Sequence, residues 1–143
     1  MYLVDTNVLS DLSVPIPRPA LVEWLDRHSS ELYLSAITAA EVAAGIAKLR
    51  RLGSTSKASG LSAWWNGVEH LYGSRILPFG LREARKAGEF MDMARAAGQA
   101  PGFPDTAIAA TAAANNLIVL TRNTKHFLVF PVKLIDPFLE LPE

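Results

Sequence analysis

FPDTAIAATAAANNLIVLTRN, residues 103 to 123, decides the fold. Asp105 is a residue type that starts helices, and residues 106 to 116 carry so much alanine that a helix there must pack closely against a sheet. Leu117-Ile118-Val119-Leu120-Thr121 follows as an apolar, β-branched run of strand length. A run without polar alternation suits a strand buried on both faces, and a helix feeding straight into such a strand is the repeating unit of a parallel sheet.

The same alternation extends outward in both directions. Residues 1 to 5 (MYLVD) read as a second central strand ending in an acid, with Thr6-Asn7 able to cap a short helix up to Leu12. Three prolines within residues 15 to 19 impose a loop, and a helix carrying Leu21, Val22, Trp24 and Leu25 then leads to a strand at residues 32 to 35. Residues 38 to 52 are expected as a helix with Glu41 in its first turn and Gly53 at its stop, followed by a polar turn over residues 54 to 59. Leu61, Trp64, Trp65, Val68, Leu71 and Tyr72 then recur at helical spacing. A short strand at 75 to 79, an amphipathic helix over 81 to 97 closed by Gly98, an irregular loop at 100 to 104 and a last strand at 132 to 135 complete the chain. Together they predict an α/β fold, a three-layer α/β/α sandwich with a mostly parallel central sheet and right-handed crossovers. Half of the 143 residues are hydrophobic and no linker, repeat or low-complexity tract interrupts them, so residues 1-143 are expected to form a single domain.

Composition narrows the function. Fourteen basic residues balance fourteen acidic ones, so the chain lacks the strongly positive field of many nucleic-acid binders, and any such contact must come from local patches such as Arg122 with Lys125. The absence of cysteine excludes a disulfide framework and a thiolate metal site. Residues 1 to 5 lack the basic start of a signal peptide, and no run approaches the ~20 apolar residues of a membrane span, so a cytoplasmic location without membrane contact is expected.

In this kind of sheet the end of a strand and the start of the next helix share the carboxyl edge, where ligands bind. Asp5 ends the first strand, Glu41 opens the helix after the second, Asp105 opens the helix feeding the Leu117 strand, and Asn123 follows that strand. Taken singly, each acid reads as a helix cap, and Thr38-Ala39-Ala40-Glu41 has capping-box spacing. Taken together, three carboxylates on one rim repel unless something neutralises them. A hard divalent cation held by oxygen ligands does so, Mg²⁺ or Mn²⁺ above all, and such a site supports phosphodiester hydrolysis. Zinc fits poorly, since His28, His70 and His126 show no ligand spacing, and the chain contains no Walker or Rossmann phosphate loop.

LVDTNVLSDL near the start, SAITAAEVAAGIAKL in the middle and FPDTAIAATAAANNLIVLTRNTKHF towards the end, in that order, resemble the PIN-domain family, and within it the VapC-type toxin ribonucleases of type II toxin-antitoxin pairs. The resemblance runs from Met1 through Pro137. It implies a Mg²⁺-dependent endoribonuclease with Asp5, Glu41 and Asp105 as metal-binding acids and Asn123 where many relatives carry a fourth acid, which favours a single metal. Thr6, Thr121, Arg122 and His126 are the implied supporting or substrate contacts; His126 stands where an aspartate is common. A protein antitoxin covering the active site and a toxin homodimer are the implied partners beside the RNA substrate. Trp64, Trp65, Leu71 and Tyr72 are candidates for the antitoxin groove, although adjacent tryptophans on one helix cannot serve one groove equally and core packing competes for them. An RNA-processing nuclease without an antitoxin would share the same acids, and a non-catalytic interaction module of this fold is the alternative from another class.

Overall fold

Two sets of apolar side chains alternate along very short strands, and each set builds its own core. The structure is a computed structural model that describes residues 1–13 and 18–143. Its strands are β1 (Tyr2–Val4), β2 (Leu32–Ser35), β3 (Ile76–Leu77), β4 (Ile118–Leu120) and β5 (Leu134–Ile135). They pair in the order β3-β2-β1-β4-β5, and every pairing is parallel. The helices are α1 (Thr6–Asp11), α2 (Pro19–Arg27), α3 (Ala36–Arg51), α4 (Thr55–Tyr72), α5 (Leu81–Ala96) and α6 (Phe103–Ala114).

Successive strand residues point to opposite faces, so Val4, Leu32, Leu34 and Leu120 join one core with Val8, Leu9, Leu21, Trp24, Val42, Ile46 and Trp65 from α1 to α4. Leu3 and Val119 face the other way and pack with Ala87, Phe90 and Ala94 of α5, Ile108 to Ala110 of α6, and Phe127 and Phe130. These two cores on either side of one parallel sheet make the three-layer α/β/α sandwich. α6 is buried from Thr106 to Ala112, and its alanines let it sit close to its neighbours, with Ile108 as its one large buried apolar side chain.

β3 and β5 are shorter than expected, at Ile76–Leu77 and Leu134–Ile135, and α6 stops at Ala114; four helix starts or caps also differ from the sequence expectation, each for a local reason. α4 begins at Thr55, not after residue 59, because Ala58 is fully buried and packs that first turn onto the core, outweighing the weak helix preference of the serines around it. α3 begins at Ala36, where the Ser35 hydroxyl accepts from the Ile37 N–H at 3.0 Å. Glu41 therefore lies in the second turn, and Thr38 and Glu41 form no capping box. α6 begins at Phe103 with Pro104 in its first turn, where a missing N–H costs nothing, so Asp105 is inside the helix and is not its cap. The short helix after β1 is capped by Asp5, not by Thr6-Asn7. Of the proline loop expected at residues 15 to 19, residues 15 to 17 lie outside the described residues, and Pro19 opens α2 instead, since a proline in a first helical turn gives up no hydrogen bond. Gly53 and Gly98, with φ of +81° and +68°, close α3 and α5 as expected. Trp65 is core, Trp64 and Tyr72 pack partly against it, and Leu71 is exposed.

Candidate active site

The chain leaves β3 and returns past two strands to form β4 beside β1, so the direction of winding reverses between β1 and β4. A crevice opens at the carboxyl ends of strands at such a reversal. Asp5 stands immediately after β1 and Thr121 immediately after β4, on the two sides of that seam.

A cleft of about 350 Å³ there is lined by Asp5, Thr6, Asn7, Ser10, Glu41, Asp105, Asn123 and His126. The acids expected from sequence and Asn123 thus come together, from segments more than a hundred residues apart. Asp5 is only 4% exposed. Its Oδ1 accepts from the Thr6 N–H at 2.8 Å and its Oδ2 from the Thr121 hydroxyl at 2.8 Å. Thr121 Oγ1 in turn accepts from Asn7 Nδ2 at 3.2 Å and from the Asn123 N–H at 3.0 Å, which exhausts what one hydroxyl can do. Asn7 Oδ1 accepts from the Arg122 N–H at 3.2 Å, so one amide stitches α1 to the segment after β4.

Glu41 is held from below by threonines. Thr6 Oγ1 donates to Glu41 Oε1 at 2.7 Å. With its single proton committed there, Thr6 Oγ1 is left to accept from the buried Thr38 hydroxyl at 3.0 Å. Asp105 Oδ2 lies 3.0 Å from His126 Nδ1, on the exposed side of the cleft. Arg122 turns away from the acids: its guanidinium lies 3.3 Å from Asp11 Oδ1 and 3.8 Å from the Phe138 ring centroid. The second carboxylate oxygen of Asp11 is buried with no hydrogen-bond partner among the described residues, so Arg122 is the group that answers its charge. His28 stacks on Trp24, remote in sequence and role from His126.

Electrostatics mark Asp5 as the group under most stress. Burial pushes its pKa up from 3.8 to about 6, and the charges of Asp105 and Glu41 push the same way, against the lowering effect of its bonds from Thr121 and Thr6. Among the described residues no three Asp, Glu or His side chains close into a ready-made ligand cluster; Thr6 engages one oxygen of Glu41 and His126 one oxygen of Asp105. The acids line an open cleft of oxygen donors, which fits a cation that retains several waters, as Mg²⁺ does, and does not fit zinc.

Three participants were not expected in the site: from sequence, Asn7 and Thr38 read only as helix caps, and Ser10 only as part of the short helix. Asn7 is the third residue of the Asp-Thr-Asn triplet, Ser10 is one turn further along the same helix, and Thr38 precedes Glu41 by three residues and so shares its helix face. The i, i+3 relation to Glu41 was the available signal for Thr38, and Asn7 and Ser10 share a face of α1 in the same way.

Comparison with known proteins places the fold. The PIN domain family profile matches residues 2–130. The chain is 36% identical to VapC ribonuclease Y4jK of Sinorhizobium fredii, covering 96% of this chain and 98% of that protein. It is also 36% identical to toxin FitB of Neisseria gonorrhoeae, over 96% and 99% of the two chains. The crystal structure of FitAcB from the same organism superimposes with a TM-score of 0.85 at 35% identity, covering 96% of this chain and 99% of that one. A matching profile over most of its length, relatives alike from end to end and a shared three-layer fold make this chain a member of the PIN domain family.

Proposed function

We propose that this protein is a Mg²⁺-dependent endoribonuclease acting as the toxin of a type II toxin-antitoxin pair, with Mn²⁺ able to substitute. The observation that carries it is the cleft at the β1–β4 seam, where Asp5, Glu41 and Asp105 converge and hydroxyls of Thr121 and Thr6 hold two of them in place. The names of the relatives, a VapC ribonuclease and a toxin, support the substrate class and the biological role.

Asp5, Glu41 and Asp105 would hold the cation, and Asn123 would line the cleft as a neutral neighbour, consistent with one metal. When bound, Mg²⁺ supplies activation of the attacking water and neutralisation of charge on the phosphate. The protein's own part is preorganisation. Thr121 and the Thr6 N–H fix both oxygens of Asp5, so its lone pairs facing the cleft keep one direction. Thr6 occupies one oxygen of Glu41 and leaves the other free, and His126 does the same for Asp105. Three anions held in this way also repel an RNA phosphate unless the cation is present, which ties substrate entry to metal loading.

An RNA substrate, a protein antitoxin that neutralises the toxin and a homodimer are the partners this function entails, and the cytoplasm is its compartment. Among the described residues no helix is long and apolar enough to cross a membrane. Residues 1-143 would act as a single domain. Incubating the purified protein with a mixed RNA pool, with Mg²⁺, Mn²⁺ or EDTA, beside Asp5→Ala and Asp105→Ala, tests the chemistry. Cleavage that needs the cation and is lost in both variants is expected; cleavage that persists in EDTA or in both variants would sink it. Growth arrest on expression, absent in the same variants, separates a toxin from a housekeeping nuclease.

A further inference from the structure

A second cavity, about 440 Å³, adjoins the acid cleft and is lined by Gln99, Ala100, Pro101, Gly102, Asp105, Lys125 and His126. Asp105 and His126 line both, so the two cavities are neighbours that share the Asp105–His126 contact as a common wall. We propose that this second cavity is a subsite for a nucleotide flanking the scissile phosphate of a single-stranded RNA. The inference rests on the ribonuclease reading and goes beyond it by assigning residues to substrate selection.

Three chemical features match such a ligand. Lys125 brings to the lining a cation that makes no ion pair among the described residues, a charge suited to a phosphate. His126 has Nδ1 committed to Asp105, which fixes the ring and leaves its flat face for stacking and Nε2 for a polar contact. Gln99 offers an amide with both a donor and an acceptor, the kind of group that reads a base edge. The volume is within the usual range for a small-ligand site, roughly 300–1,000 Å³.

The wall is rigid where it needs to be. Gly98, at φ +68°, closes α5, and the Gln99 N–H donates to the Ala94 carbonyl at 2.9 Å in a helix-terminating bond. At the other end the Gly102 carbonyl accepts from the N–H and the hydroxyl of Thr106, each at 3.2 Å. The segment carrying Gln99 is therefore pinned at both ends, and its amide is presented from a fixed backbone. Neither side chain makes a hydrogen bond or ion pair to Asp5, Glu41 or Asp105 among the described residues, and neither lines the acid cleft.

Lys125→Ala, Gln99→Ala and the double variant decide the matter on a randomised single-stranded RNA oligonucleotide in Mg²⁺, with thermal melting as the control for folding. Each single change is expected to raise KM about five- to tenfold with kcat within about twofold. Lys125→Ala should also make the dependence of log kcat/KM on log salt shallower by about 0.7, the signature of one lost phosphate contact on a single strand. Gln99→Ala should flatten the nucleotide preference at one position on one side of the cut, read by sequencing the products. Unchanged KM, salt slope and cleavage preference in variants that melt normally would overturn the subsite while wild-type cleavage upholds the ribonuclease. A loss confined to kcat would overturn it too, and a wild-type protein that cleaves no RNA would overturn both.

Discussion

Replacing Asp5 by Asn should abolish RNA cleavage and yet make the protein more stable at neutral pH. Asp5 is 4% exposed, and its pKa rises from 3.8 to about 6, first through burial and then through the charges of Asp105 and Glu41. The folded state thus binds this proton more tightly than the unfolded chain, so stability falls as pH rises from about 3.8 through about 6, and the full penalty persists above that. A shift of about two units corresponds to ~3 kcal/mol at pH 7.5. Asn removes the ionisation, but its Nδ2 would face a Thr121 hydroxyl that already accepts from Asn7 and from the Asn123 N–H, which forfeits about 1–2 kcal/mol of hydrogen bonding. The net gain is about 1–2 kcal/mol, or roughly 3–6 °C in Tm for a chain of this size. Urea unfolding in EDTA at pH 7.5 and at pH 4 measures it: the variant should lead at pH 7.5, and at pH 4 the lead should vanish or reverse. Adding Mg²⁺ should then stabilise the wild type and leave Asp5→Asn unmoved. A variant that is less stable at pH 7.5, or one whose advantage is the same at both pH values, refutes the assignment of Asp5 as a strained carboxylate.

Three further outcomes can be measured. Thr6→Val keeps the shape but removes the donor to Glu41; cleavage should fall about ten- to a hundredfold while Thr6→Ser retains most of it, and initial rates on one RNA tell them apart. Phe127 is fully buried between the sheet and α5–α6, so Phe127→Ala should cost about 3–5 kcal/mol in urea unfolding, and a loss under 1 kcal/mol would contradict that packing. Burial acts to raise the Glu83 pKa but is outweighed by bonds from its own backbone N–H and Asn115, the Arg82 charge and the Gly80 N–H, so the value is lowered overall. Its stabilisation is present above the unfolded carboxylate pKa and fades as pH drops through the folded one; Glu83→Gln should lose stability at pH 7 and match the wild type in strong acid.

The sheet and the three acids were legible because each rests on a strong local pattern. The Leu117 run could only be a buried strand, and the acids fall beside strand ends whichever residue begins the helix. Helix starts were less legible, since Thr38 and Asp105 are both acceptable cap types, yet Ser35 caps α3 three residues earlier and α6 starts at Phe103 with Pro104 in its first turn. Residues 54 to 59 read as a turn from their serines, whereas a single buried alanine, Ala58, decided otherwise. The supporting network around Thr121, Asn7 and Thr38 was hidden for a different reason. Hydrogen bonds spanning 32 to 116 residues leave no periodic trace in the sequence.

The sheet order has a consequence for when the enzyme can exist at all. Everything before residue 98 builds β3, β2 and β1 and supplies Asp5 and Glu41; everything after residue 102 builds β4 and β5 and supplies Asp105, Thr121 and Asn123. The cleft straddles the join between these two consecutive blocks. A growing polypeptide on the ribosome therefore carries no cutting site until β4 has emerged and docked against β1, so the chain stays harmless through most of its own synthesis. The two blocks meet along β1 with β4 and along α5 with α6, so a break between residues 98 and 102 parts Asp5 and Glu41 from Asp105.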